Sequence, residues 1–278
     1  MKSINTLGWA GGAAANDVNT ALGPWYWYYH PELFASKNIL LQWQDIISYH
    51  TPSKGLSVLE PLTHALEKFE TSVAQYLSDK HPLLLLGGDH SIAMGSWPAI
   101  KKHYPSLGLI WVDAHLDSHT PDTSVSKNLH GMPLSRLLGL WGGGRVFEPQ
   151  QIFVIGVRSY ESAEYQLLQS LGVKVIMMQD VEAQGIQYHL SRAIDDLSGH
   201  CAHLGISIDL DAFDPVDCPG VGYREPQGIA ANDFFDFFKN DANQSWVAIE
   251  IAEFNPMRDI DEKTAKWLPE FLSSLKIP

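Results

Sequence analysis

The chain has few cysteines, a shortage of basic residues and no long apolar run, and each of these absences argues against a class of protein. Cys201 and Cys218 are too few for the disulfide framework of a small secreted domain, so we expect a cytoplasmic protein. The 19 Lys and Arg residues against 32 Asp and Glu give a formal net charge of −13, which argues against nucleic acid as a partner. No stretch approaches the roughly 18 apolar residues of a membrane span, and the N-terminus lacks the apolar core of a signal peptide, so we expect no membrane contact.

What the chain does have is a series of short apolar runs separated by helical patterns. Its 278 residues, 45% of them hydrophobic, are enough for one large domain, and no shift in composition marks a linker, so we assign residues 1–278 to a single domain. Helical periodicity between the runs favours parallel strands joined by helical crossovers. We therefore predict an α/β fold of three layers, with helices on both faces of a central, mostly parallel eight-stranded sheet. The predicted strands are residues 4–9, 38–43, 83–86, 107–112, 152–157, 173–177, 204–208 and 246–251, and the predicted helices include 57–77, 91–102, 162–171, 188–197 and 261–275.

The fourth predicted strand is followed directly by polar side chains with regular spacing. Asp113 and His115 lie two residues apart, so in an extended backbone they point to the same side. Asp117 joins them where the strand opens into a loop. Side chains of this kind also cap helices or form salt bridges, so this segment alone leaves a structural role open.

Two other predicted strands end in the same kinds of side chain. His90 follows residues 83–86 after paired glycines, which let the chain turn tightly, and Asp209 and Asp211 repeat the two-residue spacing after residues 204–208. The carboxyl ends of parallel strands meet at one edge of the sheet, and carboxylates crowded there are unfavourable without a cation. The three segments together predict a metal site formed by His90, Asp113, His115, Asp117, Asp209 and Asp211.

The predicted ligands, two imidazoles and four carboxylates, are mostly hard oxygen donors. Such a set suits manganese or another six-coordinate divalent ion better than structural zinc, which prefers thiolates. Six ligands are enough for two ions, which at a separation of roughly 3.5–4 Å could share Asp113 and Asp209. A pair of ions lowers the pKa of a shared water from about 15.7 towards about 7, so a bridging hydroxide is the predicted nucleophile.

Two further residues are candidates for catalytic or substrate-binding roles at the same edge of the sheet. His130 lies in a loop after the fourth strand and could shuttle protons, although a loop histidine is more often a surface residue. Glu253 follows the eighth strand, where a carboxylate would attract a cation such as a guanidinium with its paired N–H donors. Glu250, three residues earlier, is a buried or a bridging acid, and the sequence leaves that choice open.

Taken together, these segments resemble the arginase, or ureohydrolase, family of manganese amidinohydrolases. The resemblance covers nearly the whole chain and rests on Gly87-Gly88-Asp89-His90-Ser91, Asp113-Ala114-His115-Leu116-Asp117, Ser207-Ile208-Asp209-Leu210-Asp211-Ala212-Phe213-Asp214-Pro215 and Glu253-Phe254-Asn255-Pro256. It implies two Mn²⁺ ions per chain, one held by His90, Asp113, Asp117 and Asp209 and the other by Asp113, His115, Asp209 and Asp211. It also implies that Asp117, His130 and Glu253 are catalytic, that the substrate is a small guanidino compound, and that the protein is a homo-oligomer, a trimer or hexamer.

Within the family, residues 120–133 resemble the arginase branch more than the agmatinase branch. Ser126 and Asn128 match positions that arginases use for the amino-acid end of the substrate. His119 stands where arginases usually have an asparagine that contacts the α-carboxylate, and Glu161 where they have an aspartate that serves the α-amino group. The loop 219–226 also departs from the usual Thr-Gly-Thr-Pro pattern. These departures concern the choice of substrate rather than the chemistry.

Three functions therefore remain open. The first is hydrolysis of L-arginine to L-ornithine and urea, with the substrate bound by His119, Ser126, Asn128, Glu161 and Glu253. The second keeps the chemistry but changes the substrate to agmatine, another guanidino acid or formiminoglutamate. The third is a metal-binding scaffold without catalysis, against which the complete set of ligand positions argues.

Overall fold

Eight parallel strands form one sheet at the centre of the protein. A computed structural model describes residues 1–15, 17–240 and 246–276; the remainder of the predicted domain 1–278 lies outside the described residues. The strands are β1 (Lys2–Ala10), β2 (Ile39–Ser48), β3 (Leu83–Gly87), β4 (Leu107–Val112), β5 (Ile152–Val157), β6 (Lys174–Met177), β7 (His203–Asp209) and β8 (Trp246–Ala252). Their order in the sheet is β2-β1-β3-β8-β7-β4-β5-β6, and every pairing between them is parallel. The predicted eight-stranded α/β fold is confirmed, and the sheet is wholly rather than mostly parallel.

Helices connect the strands and cover both faces of the sheet. Those described are α1 (Gly23–Tyr29), α2 (Glu32–Ala35), α3 (Leu59–Tyr76), α4 (Ala93–His103), α5 (Pro133–Leu137), α6 (Ser162–Leu171), α7 (Met178–Gln184), α8 (Ile186–Ser198), α9 (Ala231–Asn240) and α10 (Lys263–Ser274). The five helices predicted above correspond to α3, α4, α6, α8 and α10, with ends that differ by a few residues. Across the parts of the chain that the structure describes, no helix is long and apolar enough to cross a membrane.

Apolar side chains of each central strand alternate between two separate cores. Leu84 and Leu86 of β3 pack in the core on one face of the sheet, together with α8 and α10. Leu83 and Leu85 pack in the core on the other face, together with α3 and α4. Because successive side chains of a strand point to opposite faces, a strand covered on both sides needs an unbroken apolar run, and the predicted strand 83–86 shows this pattern.

The four central strands of the sheet, β3, β8, β7 and β4, end side by side at the same edge. The glycine after β3 is required there, because a Cβ on Gly88 would lie 1.9 Å from the carbonyl oxygen of Gly11. Gly88 also accepts a hydrogen bond from the backbone N–H of Glu253, at 2.7 Å, which joins the ends of β3 and β8. The polar residues that follow these strands are therefore brought to one place.

Candidate active site

A first cluster surrounds the imidazole of His90, which follows β3. Its Nδ1 lies 3.1 Å from Oδ2 of Asp117, 3.1 Å from Oδ2 of Asp209 and 3.3 Å from Oδ2 of Asp113. His90 and Asp113 are fully buried. Three carboxylates from two strand ends thus converge on one ring nitrogen.

A second cluster surrounds His115 and shares Asp113 with the first. Nδ1 of His115 lies 3.1 Å from Oδ2 of Asp211 and 3.5 Å from Oδ1 of Asp113. The ligand atoms of His90, Asp113 and Asp117 lie within 4.8 Å of one another, as do those of Asp113, His115 and Asp211. Asp209 lies beside His90, while its Oδ1 accepts a hydrogen bond of 2.9 Å from the backbone N–H of Asp211. All six residues predicted as ligands are therefore brought together.

The shared carboxylate of Asp113 is held firmly in place. Its Oδ2 accepts a hydrogen bond of 2.9 Å from the indole of Trp111, and its Oδ1 accepts one of 2.7 Å from the backbone N–H of His115. The same indole stacks on the ring of His90, with 4.3 Å between ring centroids. Burial alone would raise the pKa of Asp113, but His115 and His90 lower it below its ordinary value, so this carboxylate is charged.

The other carboxylates of the cluster resist ionisation. Burial, followed by repulsion from Asp113, raises the pKa of Asp117 to about 7. Burial and the neighbouring acids also raise the pKa of Asp209 well above its ordinary value, and burial raises that of Asp211. Burial opposes the charge of His90 as well, but its three aspartate neighbours raise its pKa well above the ordinary value. Ionisation of all four carboxylates together therefore requires positive charge among their oxygens, which a pair of divalent cations would supply.

The hydrogen bonds of His90 test whether the residues fit a metal. Nε2 of His90 lies 3.0 Å from the hydroxyl of Ser207, whose single proton goes to Oε1 of Glu250 at 2.8 Å. Ser207 therefore accepts from Nε2–H, and in the neutral ring the lone pair of Nδ1 faces the carboxylates. Nδ1 is buried and makes no hydrogen bond of good geometry to the described residues. A ring fixed in this way, with its other nitrogen among hard oxygen donors, fits a divalent cation.

Glu250, whose role the sequence left open, is a buried anchor for this arrangement. Its carboxylate accepts hydrogen bonds from Ser207, from Ser96 and from the indole of Trp97, the last at 2.8 Å. Ser207 and Glu250 are paired in register between β7 and β8, which explains why they meet. Burial raises the pKa of Glu250.

Glu253 and His130 form a pair next to the cluster. Nδ1 of His130 lies 3.0 Å from Oε1 of Glu253, and the same oxygen accepts a hydrogen bond of 2.9 Å from the backbone N–H of His90. Glu253 adopts a left-handed φ of 69°, which a non-glycine residue takes only when its surroundings impose it. Burial opposes the charge of His130, but attraction by Glu253 raises its pKa to about 9. His130 is therefore protonated at neutral pH in this environment. Glu253 contacts Nδ1 of the ring and not Nε2.

A cavity of about 450 Å³ opens above the cluster. It is lined by His115, Asp117, His119, Ser126, Asn128, His130, Gly131, Ser159, Tyr160, Glu161, Glu164, Asp209, Asp211, Tyr223 and Glu225. Every residue predicted to bind substrate is on this wall except Glu253, which is buried against His130 and is not part of the lining. The lining residues that the structure describes include no lysine or arginine. The cavity is therefore strongly acidic.

His119 lies on the outer part of the wall, close to two glutamates. Its Nε2 lies 3.3 Å from Oε2 of Glu164 and 3.5 Å from Oε1 of Glu161, and its Nδ1 lies 3.3 Å from the hydroxyl of Thr123. Both ring nitrogens thus already have polar neighbours. Ser126, on the same wall, accepts a hydrogen bond of 3.3 Å from the backbone N–H of Asn128.

The wall residues that were not singled out from the sequence include Glu164, Tyr223 and Glu225. Glu164 follows Glu161 by three residues, a spacing that places both on one side of the first turn of α6, so this signal was available. The ring of Tyr223 stacks near His130, with 5.9 Å between centroids. Oε1 of Glu225 lies 3.6 Å from Nε2 of His115. Tyr223 and Glu225 belong to the loop 219–226, where no periodic pattern predicts which way a side chain points.

Comparison with known proteins gives one consistent result. The model of the Arginase family matches residues 25–276. An arginase of Staphylococcus aureus (strain MRSA252) is 34% identical over 230 residues, which are 80% of this chain and 76% of that protein. An arginase of Bacillus subtilis (strain 168) is 36% identical over 218 residues, 75% of this chain and 73% of that protein. The solved structure of the arginase from Bacillus caldovelox superposes with a TM-score of 0.89 at 30% identity, covering 99% of this chain and 98% of the other. The chain belongs to the arginase family.

Proposed function

We propose that this family member is a binuclear manganese hydrolase of a guanidino compound, with L-arginine as the first candidate and L-ornithine and urea as its products. The observation that carries the proposal is the position of Asp113 between two His-carboxylate clusters at the base of the cavity. We assign His90, Asp113, Asp117 and Asp209 to one ion and Asp113, His115, Asp209 and Asp211 to the other. When bound, such a pair of ions lowers the pKa of water towards about 7 and so supplies the nucleophile at neutral pH.

The protein's own residues then have to complete the hydrolysis. Water adds to the guanidinium carbon, the C–N bond to the rest of the substrate breaks, and the departing amine takes up a proton. His130 is suited to deliver that proton, because Glu253 holds its Nδ1 and leaves Nε2 towards the cavity it lines. Asp117, which lines the same cavity, belongs to the catalytic set as a ligand next to the reacting atoms.

We expect Glu253→Gln to lower kcat/KM for the guanidino substrate by at least about tenfold. Glutamine keeps the oxygen that accepts from His90 and His130 but removes the charge that attracts a guanidinium and keeps His130 protonated. A charge-assisted hydrogen bond contributes roughly 1.5–3 kcal/mol, and about 1.4 kcal/mol corresponds to tenfold. The measurements are steady-state kinetics and elemental analysis, with manganese content expected to stay at the wild-type level. Loss of manganese in the variant would mean that Glu253 is a ligand or a structural acid.

The acidic wall bears on the far end of the substrate. L-Arginine carries both an α-ammonium and an α-carboxylate, and the glutamates of the wall suit the first group better than the second. Ser126 and Asn128 offer neutral donors for the carboxylate, and we assign the ammonium to Glu161. The same acidity favours, as the second candidate, a guanidino substrate with a cationic end and no carboxylate, such as agmatine.

We expect His119→Asn to lower KM for L-arginine by about 2- to 10-fold with little change in kcat. In the wild type Nε2 of His119 faces Glu161 and Glu164, whereas an asparagine amide would be free to donate to the α-carboxylate and would release Glu161 for the ammonium. One hydrogen bond of net 0.5–1.5 kcal/mol gives about this change. Agmatine, which lacks the carboxylate, serves as the matched control and should gain less. An equal gain for both substrates, or a weaker KM for L-arginine, contradicts the assignment.

The experiment that tests the proposed activity is urea release from L-arginine, agmatine and a second guanidino acid with manganese supplied. We expect release from all guanidino compounds that fit the cavity, with L-arginine giving the highest kcat/KM. A higher kcat/KM for agmatine would replace L-arginine by the second candidate. Absence of urea from every compound, in a protein that binds manganese, would exclude these guanidino substrates and leave either formiminoglutamate, whose hydrolysis releases formamide instead of urea, or the non-catalytic scaffold. The single domain, the cytoplasmic location and the homo-oligomeric state stay predictions.

A further inference from the structure

The loop that departs from the family pattern is tied to the metal-ligand segment by one arginine. The guanidinium of Arg158, which follows β5, donates to the backbone carbonyls of Glu225 at 2.7 Å and Pro226 at 3.1 Å. It also donates to the carbonyls of Asp211 at 2.7 Å and Ala212 at 3.1 Å. The backbone of Glu225 is therefore fixed relative to the ligand Asp211, whatever its side chain does.

From this backbone the side chain of Glu225 reaches back towards the second cluster. Its Oε1 lies 3.6 Å from Nε2 of His115, while Nδ1 of the same ring faces Asp211 and Asp113. The distance exceeds a hydrogen bond, but the side chain is 28% exposed and lies on the cavity wall, so it has room to rotate. A shift of under about 1 Å would bring it to the roughly 2.7–2.9 Å of a charge-assisted N–H···O bond.

The two histidines of the site can be compared directly. The hydroxyl of Ser207 fixes His90 through Nε2, so that Nδ1 points into the carboxylates. Among the described residues, Glu225 is the acceptor that lies near Nε2 of His115. Histidines that bind metals generally donate their other N–H to a carboxylate, carbonyl or water, which sets the tautomer and the ring orientation.

We propose that Glu225 is a positioning residue for His115, serving at Nε2 the role that Ser207 serves for His90. It holds Nε2–H so that the lone pair of Nδ1 faces Asp113 and Asp211. The inference rests on the proposed pair of manganese ions, and it assigns to the unusual loop a function in metal retention rather than in substrate choice.

The test compares Glu225→Ala and Glu225→Gln with the wild type and with the control Glu182→Gln. Glu182 lies on the wall of a neighbouring cavity to which Glu225 also contributes, and it is not part of the active-site lining. Mn²⁺ affinity is measured by competition with a chromophoric chelator, and thermal unfolding without manganese shows whether each variant is folded. Substitution of such partners typically weakens metal binding by about 10–100-fold.

We expect Glu225→Ala to lower the affinity for one of the two Mn²⁺ ions by about that factor and to leave the affinity for the other unchanged. Glutamine retains an acceptor oxygen, so Glu225→Gln should recover part of the loss, and Glu182→Gln should match the wild type. If Glu225→Ala binds both ions with wild-type affinity, the positioning role is overturned and the proposed binuclear site is not affected. The same conclusion holds if the variant changes only the KM for the substrate. A wild-type chain that binds fewer than two ions overturns this inference and the proposed binuclear site together.

Discussion

The variant Asp113→Asn should lose both manganese ions and at least about 10³-fold of its urea-forming activity. Asp113 is the carboxylate common to both clusters, and its two oxygens already accept hydrogen bonds from Trp111 and from the backbone of His115. An asparagine amide presents only one oxygen, so one of these donors would meet an NH₂ group, and the charge shared by the two ions would be gone. Metal ions contribute several kcal/mol of transition-state stabilisation, and about 1.4 kcal/mol corresponds to tenfold in rate.

Elemental analysis and urea release, measured on the same preparation, decide this prediction. The matched control is Asp236→Asn, which removes an exposed aspartate paired with Lys239 on α9 and should leave metal content and rate unchanged. Thermal unfolding of the metal-free proteins separates loss of metal from loss of fold. An Asp113→Asn variant that is folded, retains two manganese per chain and turns over near the wild-type rate refutes the shared ligand.

His130→Asn should keep both ions but slow kcat by about 10²-fold, the smaller end of the range for general acid–base catalysis. Asparagine preserves a polar side chain at this position but has no ionisable proton for the departing amine. Because Glu253 raises the pKa of His130 to about 9, the histidine holds its proton at lower pH and loses it as the pH rises through that value. The acid form of the catalyst is therefore present below about pH 9 and lost above it.

A pH profile of kcat distinguishes this role from a merely structural one. The wild type should show an ionisation that the His130→Asn variant lacks, while KM and manganese content change little. If the variant turns over at the wild-type rate across the pH range, His130 is an ordinary loop histidine and the proton comes from elsewhere.

The fold and the gathering of the predicted ligand residues at one edge of the sheet were predictable because each depends on local sequence patterns. An unbroken apolar run such as Leu107–Val112 can be buried on both faces only in the interior of a parallel sheet, and the polar residues after it must then lie at the edge. The two-residue spacing of Asp113 and His115 follows from the same geometry. The short helices were not assigned, because α2 has 4 residues and α5 has 5, too few to show a periodicity.

Other features depend on contacts that leave no pattern in the sequence. Glu250 meets Ser207 only because β7 and β8 pair in a particular register. Arg158 donates to backbone carbonyls, which any residue carries, so its partners cannot be recognised from side-chain types. Nε2 of His119 lies close to both Glu161 and Glu164, and its place in the sequence did not indicate these two contacts. Residues of this kind require the tertiary structure.

Anomalous X-ray diffraction from crystals grown with manganese shows most directly whether two ions share Asp113 at the base of the cavity. We expect two manganese peaks, roughly 3.5–4 Å apart, one beside Nδ1 of His90 and one beside Nδ1 of His115, with the carboxylate of Asp113 in contact with both. A single peak, or peaks away from these two histidines in a crystal of enzyme that releases urea, would contradict it.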